Sequence, residues 1–143
     1  MTKTFVPKDP GTARSWQLVD ATDKPLGRLA VSIANTLRGK NRPTFDPSVD
    51  TGDFVIVVNA EKVRLTGRKL DQKEYQRYSG YRGGLKRFSA RTMLEQHPDR
   101  VILEAVWGML PKNTLSRKLM TRVRVYRGAE HPHAAQMPVA AAF

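Results

Sequence analysis

The sequence predicts an α/β fold in which a strand buried on both faces lies between layers of helix. Three observations carry this. Ser15–Val19, "SWQLV", alternates Trp16 and Leu18 against polar neighbours, the period of a strand with one face on a core. Leu26, Leu29, Ala30, Ile33, Ala34 and Leu37 then recur at helical spacing up to Gly39, a natural helix stop. Phe54–Val58, "FVIVV", is a short unbroken apolar run bounded by Gly52–Asp53 and Asn59, which suits a strand covered on both sides. Strand, helix and buried strand in this order make a right-handed βαβ unit.

The remaining elements follow from local chemistry. Asp23 is placed to cap the first helix, and Pro25 is tolerated in its first turn. Residues 40–53, "KNRPTFDPSVDTGD", hold two prolines and a glycine and form an ordered or partner-bound loop. Leu70–Tyr78, "LDQKEYQRY", reads as an exposed strand, and the three glycines of "SGYRGGLKRF" after it argue against regular structure there. Ser89 caps a helix over "ARTMLEQH". A second amphipathic helix begins near Pro98, with Val101, Ile102, Ala105, Val106, Met109 and Leu110 on one side. Pro111 ends it, Asn113 or Thr114 caps the next, and Leu115 and Leu119 mark one more short helical turn. "RVRVY" at 122–126 reads as a basic-faced strand, and the tail "HPHAAQMPVAAAF" as extended. There is no internal repeat.

Composition limits the function classes. The 143 residues suit one domain, with 40% hydrophobic side chains to fill a core. The formal charge is +12, and such a surplus repels itself unless a polyanion supplies counter-charge. Residues 62–91 hold ten basic and two acidic side chains, and residues 112–127 hold six basic and none acidic. Those two segments carry more than the whole surplus, so the charge is placed rather than spread. The absence of cysteine excludes disulfides, thiolate metal sites and a cysteine nucleophile, and fits a reducing compartment. "MTKTFVPKDP" lacks the apolar core of a signal peptide, and no run approaches the ~18 apolar residues of a membrane span, so a soluble intracellular protein is expected, with no membrane partner.

Enzyme motifs fail on spacing. Gly39–Lys40 is followed by Asn41, with no glycine five residues before Gly39, so there is no phosphate loop; "GYRGG" does not follow a βα turn, so there is no dinucleotide fingerprint. Asp46, Asp50 and Asp53 are the one set of clustered carboxylates for magnesium chemistry, and turn-forming or arginine-pairing roles suit them better. His131 and His133, in "HPH", lack a third ligand at matching spacing; as a rigid segment they can donate to phosphate or to backbone carbonyl. No catalytic residue, metal or cofactor is expected.

The basic segments make the positive case. Tyr75, Tyr78, Tyr81 and Phe88 interleave with Lys69, Lys73, Arg77, Arg82, Lys86 and Arg87. Rings stack on unpaired bases while cations neutralise phosphate, which is what irregular RNA offers. Each tyrosine has a second reading, as a core or edge-strand residue beside a solvated basic face. Gly80, Gly83 and Gly84 let backbone N–H groups approach an anion. In "GMLPKNTLSRK" a new helix start beside Lys112, Asn113, Arg117 and Lys118 forms a phosphate site, with an ordinary basic helix turn as the bland alternative. Arg122 and Arg124 extend the positive track on one strand face. With Lys62, Arg68, Arg127, His131 and His133, these residues (Phe88 and the glycines apart) form the candidate RNA-binding set.

The chain also resembles a known family. "WQLVDATDKPLGRLA" at 16–30, "VDTGDFVIVVNAEKVRLTGRK" at 49–69, "YSGYRGGLK" at 78–86 and "AVWGMLPKNTLSRKLMTRVRVYRGAEHPHAAQ" at 105–136 are similar to the universal large-subunit ribosomal protein L-thirteen family in its bacterial form. The similarity runs from Trp16 to Pro138. It departs at Tyr78, Arg82 and Ser116, where the family commonly has His, Pro and Gly. The resemblance implies a three-layer α/β/α domain around a mostly parallel four-stranded sheet, with a core over about 15–127 and an extended tail over 128–143. It implies binding of large-subunit ribosomal RNA, a role in early subunit assembly, and no enzymatic activity. Neighbouring large-subunit proteins are the implied protein partners, with no homo-oligomer and a cytoplasmic, ribosome-bound location.

Overall fold

The computed structural model describes residues 3–8 and 14–141. Strand β1 (Trp16–Asp20) leads into helix α1 (Leu26–Arg38) and returns as β2 (Phe54–Val58). A short helix α2 (Lys69–Gln72) precedes strands β3 (Glu74–Tyr78) and β4 (Leu85–Ser89). Helices α3 (Ala90–Gln96), α4 (Pro98–Met109) and α5 (Thr114–Met120) follow, then β5 (Val123–Val125) and β6 (Val139–Ala140). The main sheet has the order β5-β2-β1-β6, and every pairing in it is parallel. Trp16 stands opposite Phe54 and Asp20 opposite Val58, so the predicted βαβ unit pairs over its full length.

The two faces of the sheet differ. Val19, Val55, Val57 and Val123 point into the main core with Leu29, Ile33 and Leu37 of α1, Ile102 and Val106 of α4, and Leu119 of α5. By the period of two, Trp16, Leu18, Phe54 and Ile56 lie on the other face. There Trp16 stacks on Phe54 with centroids 4.2 Å apart, and the His133 ring lies 5.3 Å over Trp16. The chain beyond β5, with a 3-10 turn over Ala134–Gln136, thus provides the second cover. The sheet is flanked on both sides, as expected, and the second layer is the thinner one.

Helix α1 ends as its sequence dictates. Gly39 takes φ of 74°, its N–H reaches Thr36 O at 3.1 Å, and Lys40 N–H reaches Asn35 O at 3.0 Å. Gly52 lets the loop return against this end: a Cβ there would stand 1.7 Å from Leu37 O. Loop 40–53 is therefore an ordered part of the fold, clamped to the helix that precedes it.

Four local expectations are corrected. Asp23 does not cap α1: it sits at φ of 55°, and the position before the helix is Pro25, with no side-chain cap bond. The glycine-rich segment after Tyr78 is regular in its second half, since Leu85–Ser89 pairs antiparallel with Glu74–Tyr78. Gly80 and Gly83, both at positive φ, lie in the connecting turn, where they help the chain reverse rather than preventing strand. The run from Leu70 is not strand throughout, because α2 occupies its start. The tail is also less free than "extended" suggests: Gln17 and Leu18 pair with Val139 and Ala140, while Ala142 and Phe143 lie outside the described residues.

Candidate nucleic-acid interface

Two populations of charge can be separated by their partners. Asp50 accepts from Arg14 at 3.0 Å and from Arg122 at 2.7 Å, and a second oxygen pairs with Arg122 as well. Burial pushes the Asp50 carboxyl up, but hydrogen bonds and charge from Arg122 and Arg14 outweigh it and hold the group below the usual carboxylate range. Asp53 accepts from Arg42 at 2.5 Å and from the Ser15 N–H at 3.1 Å. Asp46 accepts from Ser48. Asp50 and Asp53 therefore hold chain segments together and Asp46 forms a local turn, the arginine-pairing and turn-forming roles the sequence favoured.

Arg122 is consequently a structural residue. Its guanidinium is tied to Asp50 and lies 5.6 Å from the Phe54 ring, while Arg124, two residues on, is exposed and has no acidic partner among the described residues. His133 is likewise engaged: its Nε2 and the Tyr126 hydroxyl are 2.6 Å apart. His131 Nδ1 accepts from the His133 N–H at 3.3 Å, so both imidazoles brace the tail. Arg127 pairs with Glu61 at 3.2 Å on the surface.

The β3–β4 hairpin is built differently. Its pairing sets Tyr75 opposite Phe88 and Arg77 opposite Lys86. Tyr75 is half-buried, with Lys73 5.0 Å over its ring; burial, with Glu104 nearby, raises its hydroxyl pKa. At the far end Tyr78 is 66% and Tyr81 80% exposed, beside exposed Arg82. Of the ten cations in residues 62–91, only Arg87 and Arg91 have acidic partners among the described residues, Glu74 and Asp71. The others, including Lys62, Arg68, Lys69 and Lys86, project from the 3-10 turn over Ala60–Lys62, from α2 and from the hairpin with no carboxylate bound.

Helix α5 splits its predicted set. Asn113 caps it, its Oδ1 accepting the Ser116 N–H at 2.8 Å. Ser116 is 1% exposed and helical, so no glycine conformation is needed at that position. Lys112 turns back, donating to Trp107 O and to Leu110 O at 3.2 Å with its ammonium 4.6 Å from the Trp107 ring centroid. It closes the end of α4, where a cation meets the negative pole of the helix. Arg117 and Lys118 remain exposed, without acidic partners among the described residues.

Among the described residues no group of three or more His, Asp or Glu is arranged to hold a metal, and no helix is long and apolar enough to cross a membrane. The arrangement offers an anion many cations and two exposed rings. The sequence pattern of the family described as "Ribosomal protein L13" matches residues 14–132. The chain belongs to this family. Relatives from Mycobacterium avium, Mycobacterium tuberculosis and Mycobacterium marinum, each called "Large ribosomal subunit protein uL13", are 57% identical over 136 residues, 95% of this chain and 92% of theirs. The Ribosomal protein L13 family comprises structural, non-enzymatic proteins of the large ribosomal subunit. Membership accounts for a folded domain that carries so large an unbalanced charge. What the charge pattern alone missed is Arg14 and Arg42, whose partners in the loop are 36 and 11 residues away. Pairing over such separations leaves no local trace.

Proposed function

We propose that this chain binds large-subunit ribosomal RNA and supports early subunit assembly by neutralising phosphate and matching the shape of the folded RNA. The observation that carries the proposal is the hairpin end, where exposed Tyr78 and Tyr81 stand with Arg77, Arg82 and Lys86, which no carboxylate partners among the described residues. Stacking on splayed bases and phosphate neutralisation from one rigid element suit single-stranded and irregular RNA. Arg117, Lys118 and Arg124 supply further phosphate contacts, while neighbouring large-subunit proteins meet the remaining surface. The protein acts within the ribosome, in the cytoplasm.

The test is incorporation. A variant with Arg82, Lys86, Arg117 and Lys118 all changed to Ala is expected to melt like the parent and to enter reconstituted large subunits poorly. Each lost phosphate contact should also reduce the salt slope of RNA binding by roughly 0.7–0.9. Normal incorporation of the folded variant would remove these residues from the interface.

A further inference from the structure

A cleft beside the start of the hairpin gathers two of these unpaired cations, Lys69 and Lys73, with two further arginines. It has a volume of about 750 Å³ and lies between the first turn of α1, residues 64–66 and α2. Arg28, Arg64, Lys69 and Lys73 line it, and no acidic residue does. Its apolar wall comes from Pro25, Leu26, Leu65 and Ala105. The two sides are fixed to each other: Leu26 N–H donates to Arg64 O and Arg64 N–H donates to Lys24 O, both at 3.0 Å. The guanidinium groups of Arg28 and Arg64 have no hydrogen-bond or ion-pair partner among the described residues, and the ammonium groups of Lys69 and Lys73 have only neutral ones, the Thr66 hydroxyl and the Tyr75 ring.

Four like charges held around one concavity repel one another, and low-dielectric walls concentrate their field in the opening. Such a site is relieved by an anion that brings several charges at once. The cleft lining has no aromatic ring and no acidic acceptor, so it is unsuited to reading a base by stacking and suited to a chain of phosphates.

We infer that this cleft binds the sugar-phosphate backbone of an RNA strand, without regard to sequence, with Arg28 and Arg64 as phosphate contacts alongside Lys69 and Lys73. The inference rests on the RNA-binding function proposed above and adds a second strand-binding surface to it. Gly27 provides a clean probe, because it lines the opening and a Cβ there would meet nothing within 4 Å. Gly27→Glu places a negative charge in the cleft without crowding the fold, at a helical position where glycine is a poor former.

The full-length protein is titrated with a mixed-sequence single-stranded oligoribonucleotide of ten residues, with inorganic phosphate in a parallel arm, while backbone amide shifts are followed. The expected result is saturable shifts at Gly27, Arg28 and Arg64 with the oligonucleotide, and at least tenfold weaker binding at these amides in Gly27→Glu. Arg28→Gln with Arg64→Gln should lower the salt slope by about 1.4, two contacts at about 0.7 each for a single strand. Melting of each variant alone serves as the folding control. Shifts confined to the hairpin would overturn the cleft while leaving the hairpin function standing. Equal response to inorganic phosphate and to the oligonucleotide would reduce the site to a simple anion site and overturn strand binding. No response at either surface, with no binding of large-subunit ribosomal RNA, would overturn both.

Discussion

The loop 40–53 and the β3–β4 hairpin both meet several arginines and are rich in polar residues, yet they use them in opposite ways. In the loop, Asp50 and Asp53 are held by Arg14, Arg122 and Arg42, and the guanidinium groups become part of the fold. In the hairpin, acids are too few to partner the cations, and the charge stays on the surface. An arginine's place in the sequence therefore says little about binding. What matters is whether a carboxylate from another segment reaches it.

This contrast can be broken at either end, and the expected effects fall in order. The core that supports both regions is the most sensitive: Leu29→Ala should cost about 2–5 kcal/mol, measured by denaturant unfolding, since Leu29 is 2% exposed between α1 and the sheet. Asp50→Asn should cost about 2–3 kcal/mol, a little under the loss of a fully enclosed pair, because the paired side chains keep 6–13% exposure.

The same carboxylate gives the fold an acid limit. The Asp50 pKa is lower in the folded chain than in the unfolded one, so its stabilisation is complete above the unfolded value, about 4. It fades as pH falls through the lower folded value. The gap in melting temperature between parent and Asp50→Asn should accordingly be widest near neutrality and shrink below about pH 4. A gap that stays constant down to pH 2 would mean that the Asp50 charge does not act as described.

Smaller effects separate Lys112 from its neighbours. Lys112→Ala removes the cation at the end of α4 and should cost about 0.5 kcal/mol. Arg117→Ala or Arg82→Ala should change stability by less than about 0.5 kcal/mol and weaken RNA binding instead. If Lys112→Ala weakens RNA binding as much as Arg117→Ala, its capping role is secondary.

The legible parts of the fold were those whose signal is local and periodic. Helix α1 follows from the spacing of Leu29, Ile33 and Leu37 and from Gly39, and β2 from five apolar residues in a row. Ser89 caps the helix it was expected to cap, and Asn113, one of two candidates, caps α5, because a cap needs only the next three residues. The hairpin's first strand was readable as an exposed strand up to Tyr78, but its second was obscured because it carries no apolar alternation and because the turn glycines before it look like breakers. Strand β6 is two residues long in an alanine-rich tail and has no signature of its own. At the candidate interface the alternation of Arg122 and Arg124 was readable, but the fate of Arg122 depends on Asp50, 72 residues away. Tyr75 and Tyr78 differ in burial for a similar reason: only Tyr75 shares a groove with α3 and α4.

The most direct measurement is a map of protein–RNA crosslinks within assembled large subunits containing this chain. Crosslinks are expected at Tyr78, Tyr81, Arg82 and Lys86 of the hairpin and at Arg117 and Lys118 of α5, and none at Arg14, Arg42 or Arg122. Crosslinks concentrated on the paired arginines, with the hairpin end silent, would contradict this assignment.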